Sequence, residues 1–115
     1  DEIEARPLHH VRAAAERYGA VVLLKGRRTL VAAPDGRVRA NTTGTPWLAT
    51  AGAGDVLGGL IGSLLAAGLT PYDAASAGAW LHGAAATLAA GDGPLVAGDV
   101  ANAIPAAVRA ALLAR

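Results

Sequence analysis

The chain has 115 residues, 53% of them apolar and 17% charged, which is enough hydrophobic material for a core and too little charge for a disordered segment. It holds no cysteine, and this excludes a disulfide framework, a thiolate metal site and a cysteine nucleophile. Ten basic and nine acidic residues leave a net charge of +1, so there is no broad positive field for nucleic acid and any anion site must be local.

The sequence contains no methionine and begins Asp1-Glu2-Ile3-Glu4, without the charged head, apolar stretch and cleavage site of a signal peptide. The expectation is a single partial domain over residues 1–115, in a reducing, cytoplasmic setting. From Pro7 to Tyr18, Leu8, Val11, Ala14, Ala15 and Tyr18 recur at three- and four-residue spacing, which predicts an amphipathic helix closed by Gly19. Ala20-Val21-Val22-Leu23-Leu24 shows no polar alternation and predicts a central, parallel strand covered on both faces. Thr29 to Ala33 and Arg37 to Ala40 flank Pro34-Asp35-Gly36, whose turn chemistry predicts a hairpin at a sheet edge.

Strand signals stop after residue 40, and helices are predicted over 54–68, 71–90 and 99–114. In the first, Val56, Leu57, Leu60, Ile61, Leu64 and Leu65 form a stripe, and Gly58 and Gly62 would allow close backbone approach to a neighbour. Thr70 and Pro71 read as the cap and first turn of the second, with Asp73 near its positive end. Between Val56 and Gly91 the one formal charge is Asp73, but Ser63, Pro71, Ser76, His82 and Thr87 interrupt the run, which reads as buried helices rather than a membrane span. About three strands cannot cover two such apolar helices, so the chain reads as half of a layered α/β domain.

The chemistry concentrates in Asn41 to Gly59, N-T-T-G-T-P-W-L-A-T-A-G-A-G-D-V-L-G-G, a glycine-rich loop that runs into the leucine-striped helix. Gly52, Ala53 and Gly54 would turn successive backbone N–H groups toward one point, where the positive end of the helix adds to them. Such an anion hole binds phosphate without net positive charge. Asp55 beside it could take a proton from a substrate hydroxyl, or it could simply cap the helix. Lys25 is the only lysine and directly follows the strand run, either meeting phosphate at the strand end or emerging into water. Trp47 reads as packing its loop down, and His82 as a packed, hydrogen-bonded residue. His9 and His10 point to different sides, and no set of side chains has metal-ligand spacing, so no protein-held metal is expected.

Three stretches, V-V-L-L-K-G-R-R-T, N-T-T-G-T-P-W-L-A-T-A-G-A-G-D-V-L-G-G and the L-H-G helix, resemble the ADP-dependent NAD(P)H-hydrate dehydratase family of the ribokinase-like superfamily. The resemblance covers nearly the whole chain and only the C-terminal part of the family's domain. It implies the C-terminal portion of a ribokinase-like layered α/β fold, a few strands including a hairpin and then three helices. The activity it implies is ADP-driven removal of water from the S epimer of NADH or NADPH hydrated at C6, through a phosphorylated intermediate. Lys25, Gly26, Arg27, Arg28 and Thr29 match the family's adenine-nucleotide-binding stretch, and Gly54 matches its nucleotide contact. Asp55 matches the residue that meets the hydrated substrate and would be the base.

Ala51, Gly52 and Ala53 stand where the family usually has two glycines and a threonine, and Arg27-Arg28 replaces smaller residues. ADP or ATP, with Mg2+ carried on the nucleotide, is the implied cofactor, and the hydrated nicotinamide nucleotide the partner. An epimerase domain could be fused in the parent, and a homo-oligomer is expected, with neither nucleic acid nor membrane as partner. The isolated chain is expected to be inactive or unstable, because other substrate contacts of the family lie upstream of Asp1. The alternatives are a sugar or vitamin kinase of the same superfamily using Asp55, or a non-catalytic nucleotide-binding or assembly module in which Asp55 only caps.

Overall fold

The computed structural model describes residues 2–91 and 93–113. A short helix α1 (Glu2–Ala5) precedes α2 (Pro7–Tyr18), which starts on its proline and ends at Gly19 with φ 59°, as the spacing predicts. Strands β1 (Val22–Leu24), β2 (Thr29–Ala32) and β3 (Val38–Asn41) form one sheet in that order, both pairings antiparallel. The predicted hairpin turns through Gly36 at φ 96°, and the Arg37 N–H donates to Asp35 Oδ1 at 3.1 Å. A central, parallel β1 is not what forms among the described residues: β1 pairs with β2 alone, antiparallel, at the sheet edge. The strand with two fully buried faces is β2.

Alternation along β2 builds the layers. Leu30 and Ala32 meet Val11 and Ala15 of α2, while Val31 and Ala33 meet Tyr72 and Ala75 on the opposite side. Tyr72 and Ala75 belong to α4 (Pro71–Ala90), capped by Thr70, whose hydroxyl accepts from the Asp73 N–H at 3.3 Å. The far end of α4 places Ala85 and Ala86 against Leu95, Val100 and Ala107 on and before α5 (Ala97–Leu113). Helix α4 thus supplies buried residues to both the sheet and the helical side, which is why its sequence is apolar almost all round. The guanidinium groups of Arg37 and Arg39 lie 4.6 and 4.3 Å from the Tyr72 ring centroid. Arg39 also pairs with Asp73 at 2.9 Å, and this hydrogen bond holds the Asp73 carboxyl below the usual carboxylate range.

Helix α3 (Ala53–Ala66) begins one residue before the expected 54 and stops two short of 68, because Gly68 takes φ 103° and turns the chain back. Helix α5 starts at Ala97 instead of 99, and the expected end at 114 lies outside the described residues. Close approach between α3 and α4 comes from the other helix: a Cβ on Gly78 would sit 2.6 Å from Ile61 Cγ1, whereas Gly58 and Gly62 face open space among the described residues. The spacing of two glycines marks a face without saying what lies opposite it. No helix among the described residues is long and apolar enough to cross a membrane.

Candidate functional site

The loop after β3 is sewn to α4. Asn41 Nδ2 donates to the Ala79 carbonyl at 3.2 Å, and the Thr43 hydroxyl donates to the Trp80 carbonyl at 3.1 Å. Both bonds need the loop backbone to lie directly on the helix, and Gly83 makes that approach sterically available. A Cβ on Gly83 would fall onto Thr43 Oγ1 and 2.6 Å from the carbonyl carbon and oxygen of Thr43. Gly44 next turns the chain at φ 109°, with Leu48 Cδ1 and Gly83 Cα 3.0 and 3.3 Å from where its Cβ would be. Thr45 caps a 3-10 turn over Pro46–Leu48 by accepting from the Trp47 N–H. Leu48, rather than Trp47, packs inward: Trp47 remains 48% exposed, contrary to the packing role expected of it.

Between this loop, the end of β1 and α4 lies a cavity of about 600 Å3. Lys25, Gly26, Arg27 and Thr29 line one side, while Asn41 to Pro46, Leu48, Ala49, Leu57, Ala79, His82 and Gly83 contribute to the rest. Arg28 does not reach the cavity, so the stretch expected to act together is divided there. No carboxylate is found among the lining residues, which include two cations. In a protein of net charge +1, this is the local positive site that composition alone could only require.

The start of α3 stands beside the cavity without lining it: Gly52, Ala53, Gly54 and Asp55 are not among its walls. Gly52 is its N-cap at φ 87°, a conformation that favours glycine, and the Ala53 N–H donates to the Thr50 carbonyl at 3.3 Å. A Cβ on Gly54 would lie 3.4 Å from Lys25 Nζ, so the ammonium sits over the glycine in the helix's first turn. The structure thus brings Lys25 to Gly54, far from it in sequence. Asp55 occupies the same first turn, exposed, and has no hydrogen-bond or ion-pair partner among the described residues. The capping alternative therefore has no bond behind it: the N-cap is Gly52, and the Asp55 carboxylate is left for other use.

His82 is buried, as its helix pattern implies, and its Nε2 lies 2.9 Å from the Ala53 carbonyl oxygen. A carbonyl can only accept, so the ring donates from Nε2. Burial pushes the imidazole below its usual range and the Lys25 charge adds to this, against the opposing pull of the hydrogen bond, so the ring is held neutral. Asn41, Thr43, Gly44 and Gly83 were given no role by spacing alone. The signal that could have found them is the pairing of two motifs, N-T-T-G and L-H-G, each with a glycine where the other needs space.

Magnesium finds no ligand set here. Among the described residues no three His, Cys, Asp or Glu side chains gather, and no carboxylate lines the cleft, so a cation at this site would depend on ligand oxygens.

Comparison with known proteins gives the same picture. The sequence family described as NAD(P)H-hydrate dehydratase matches residues 1–105. The ADP-dependent (S)-NAD(P)H-hydrate dehydratase of Neisseria meningitidis serogroup B is 49% identical over 108 residues, 94% of this chain and 36% of that protein. The bifunctional NAD(P)H-hydrate repair enzyme of Escherichia coli K12 is 47% identical over 89 residues, 77% of this chain and 17% of that protein. The chain thus spans about a third or less of the length of these relatives. Among solved structures, the ADP/ATP-dependent NAD(P)H-hydrate dehydratase of Bacillus subtilis, co-crystallised with ATP/Mg2+ and soaked with CoA, superposes with a TM-score of 0.88. That likeness is at 31% identity and covers 94% of this chain and 41% of the other, which gives this chain part of a ribokinase-like fold. The chain belongs to the NAD(P)H-hydrate dehydratase family.

Proposed function

We propose that the full-length protein repairs nicotinamide nucleotides by ADP-dependent dehydration of (S)-NAD(P)H-hydrate, and that this chain supplies the nucleotide cleft, the anion-binding turn and the base. The observation that carries the reading is the Lys25 ammonium lying over Gly54, at the start of a helix whose neighbouring Asp55 carboxylate has no partner among the described residues. Lys25 and Arg27 meet the nucleotide phosphates, and the cavity of about 600 Å3 receives the rest of the nucleotide. The backbone N–H groups of Gly52 and Gly54 receive the terminal phosphoryl group, that of Ala53 being spent on the Thr50 carbonyl, and the helix dipole and the fixed amides hold charge as it develops.

Asp55 takes the proton of the hydrate hydroxyl as its oxygen bonds to the terminal phosphorus of ADP. The phosphorus–oxygen bond to AMP breaks in the same displacement. Phosphorylation turns a poor hydroxide leaving group into a good one: inorganic phosphate then leaves the ring carbon, the adjacent ring carbon gives up a proton to solvent, and the double bond that forms between them restores the reduced nicotinamide. A general base of this kind contributes roughly 10²–10⁴-fold to rate. Mg2+ bound to the nucleotide would neutralise phosphate charge, and none of these steps is assigned to it.

The test is a product balance. Full-length protein given hydrated NADH and ADP should yield one inorganic phosphate and one AMP for each NADH recovered, and nothing when ADP is withheld. A stable phosphorylated product without NADH recovery would mark a small-molecule kinase instead. ADP binding without either product would mark a non-catalytic nucleotide-binding module.

A further inference from the structure

His82 is the only buried polar or charged side chain among the described residues, and the reaction outlined above gives it no part. Its location is informative. The ring stands on α4 yet spends its Nε2–H on a carbonyl of the first turn of α3, at 2.9 Å. That turn needs an external hold, because its N-cap is a glycine and no side chain caps it. Besides the helix's own backbone bonds, the turn is held by Ala53 N–H to the Thr50 carbonyl and Val56 N–H to the Gly52 carbonyl, at 3.3 and 3.2 Å.

The residue after His82 is Gly83, against which Thr43 is pressed. One short segment of α4 therefore holds two neighbouring pieces: Gly83 seats the Asn41–Gly44 loop that lines the cleft, and His82, itself in the cleft lining, seats the start of α3 beside it. Gly54 and Asp55 follow directly on the carbonyl that His82 holds. Lys25, the charged group that acts on His82, lies over the same Gly54. A small rotation of this turn would move the Gly54 N–H and the Asp55 carboxylate together, away from the ammonium.

We propose that His82 is a positioning residue: its Nε2–H, bonded to the Ala53 carbonyl, fixes the first turn of α3 so that the Gly54 amide and the Asp55 carboxylate stand in register with Lys25. The proposal rests on the dehydratase reading for its kinetic consequence, and on geometry alone for the anchor.

The experiment uses the full-length protein as wild type, His82→Leu and His82→Gln, the last keeping an N–H donor on a side chain of similar reach. Turnover is measured with hydrated NADH and ADP, and amide hydrogen exchange is followed across residues 53–56. His82→Leu is expected to lower kcat per folded molecule at least tenfold, more than it raises KM for ADP, and to speed exchange in that turn at least tenfold. His82→Gln is expected to restore both to within threefold of wild type. Should His82→Leu not fold, His82→Asn, too short to reach the carbonyl, is expected to show the same two losses. Unchanged exchange across 53–56 in the folded variant overturns the anchor, whatever the turnover. A lower thermal midpoint with unchanged kcat means that His82 merely packs, and also overturns the proposal. Wild-type protein without ADP-dependent turnover overturns the dehydratase reading instead, and the exchange result still decides the anchor.

Discussion

Gly83→Ala isolates the contact that builds the cleft. In an exposed helix interior, replacing glycine by alanine stabilises by roughly 0.5–1 kcal/mol, since alanine loses less backbone freedom on folding. At position 83 the new methyl would lie 2.6 Å from the carbonyl carbon and oxygen of Thr43, which are backbone atoms and cannot swing aside. The loop would have to retreat by nearly an ångström to restore van der Waals contact. Such overpacking costs typically about 1–3 kcal/mol. The retreat also stretches the bonds from Asn41 to Ala79 and from Thr43 to Trp80, each worth net about 0.5–1.5 kcal/mol. Even with the alanine gain subtracted, the balance is a loss of about 2 kcal/mol or more.

Urea denaturation of the full-length protein measures it, with Gly58→Ala as the internal comparison. Gly58 also lies inside a helix but has no atom within 4 Å of a built Cβ, so the same substitution should stabilise by about 0.5–1 kcal/mol. Opposite signs for two glycine-to-alanine changes are the expected result. Gly83→Ala as stable as wild type, or both variants shifting alike, would refute the close-approach reasoning.

Further outcomes follow from single contacts. Thr70→Ala removes the hydroxyl that accepts from the Asp73 N–H, and should cost about 1 kcal/mol in the same urea experiment. Lys25→Gln should weaken ADP binding by calorimetry at least tenfold and flatten its dependence on salt, since the ammonium over Gly54 is a point charge meant for phosphate. His82 is depressed from its ordinary value of 6.5, so the unfolded chain takes up a proton before the folded one does. Stability contributed by the neutral ring is full above 6.5 and is lost as pH falls below it, and thermal midpoints between pH 7.5 and 5.5 should decline less in His82→Gln. Asp73, also depressed, contributes above the ordinary carboxylate range and loses its contribution as pH falls through it; Asp35, held down by Arg37, does the same, so the acidic decline should be smaller, not absent, in Arg39→Gln.

Local chemistry made much of the fold legible. Gly19, Thr70, Pro71 and the Pro34-Asp35-Gly36 turn act on backbone within a few residues of themselves, and each ends or begins an element where the sequence places it. Strand direction was not legible. The run Val21 to Leu24 is apolar because its residues alternate between two clusters, and burial on both faces reports neither a neighbour nor its polarity. Gly58 and Gly62 misled for a related reason, since the spacing suits close approach while the approach itself is made by Gly78 on the facing helix.

At the site, the glycine-rich turn and Lys25 could be read from residue type, and their meeting over Gly54 is tertiary. Of the contiguous stretch Lys25 to Thr29, all but Arg28 line the cleft, a division that residue type does not announce. His82 was readable as buried and bonded, but its partner is a backbone carbonyl 29 residues away, which no side-chain motif announces.

The most direct measurement compares full-length wild type with Asp55→Asn in the presence of hydrated NADH and ADP, following recovery of reduced-nicotinamide absorbance together with phosphate release. Asp55 is exposed and makes no bond among the described residues, so the variant should keep the wild-type thermal midpoint and its affinity for ADP. The expected result is ADP-dependent recovery in wild type and a loss of roughly 10²–10⁴-fold in kcat in the variant. Equal turnover by both proteins would contradict the base assigned to Asp55, and absence of recovery in a folded, ADP-binding wild type would contradict the dehydratase reading itself.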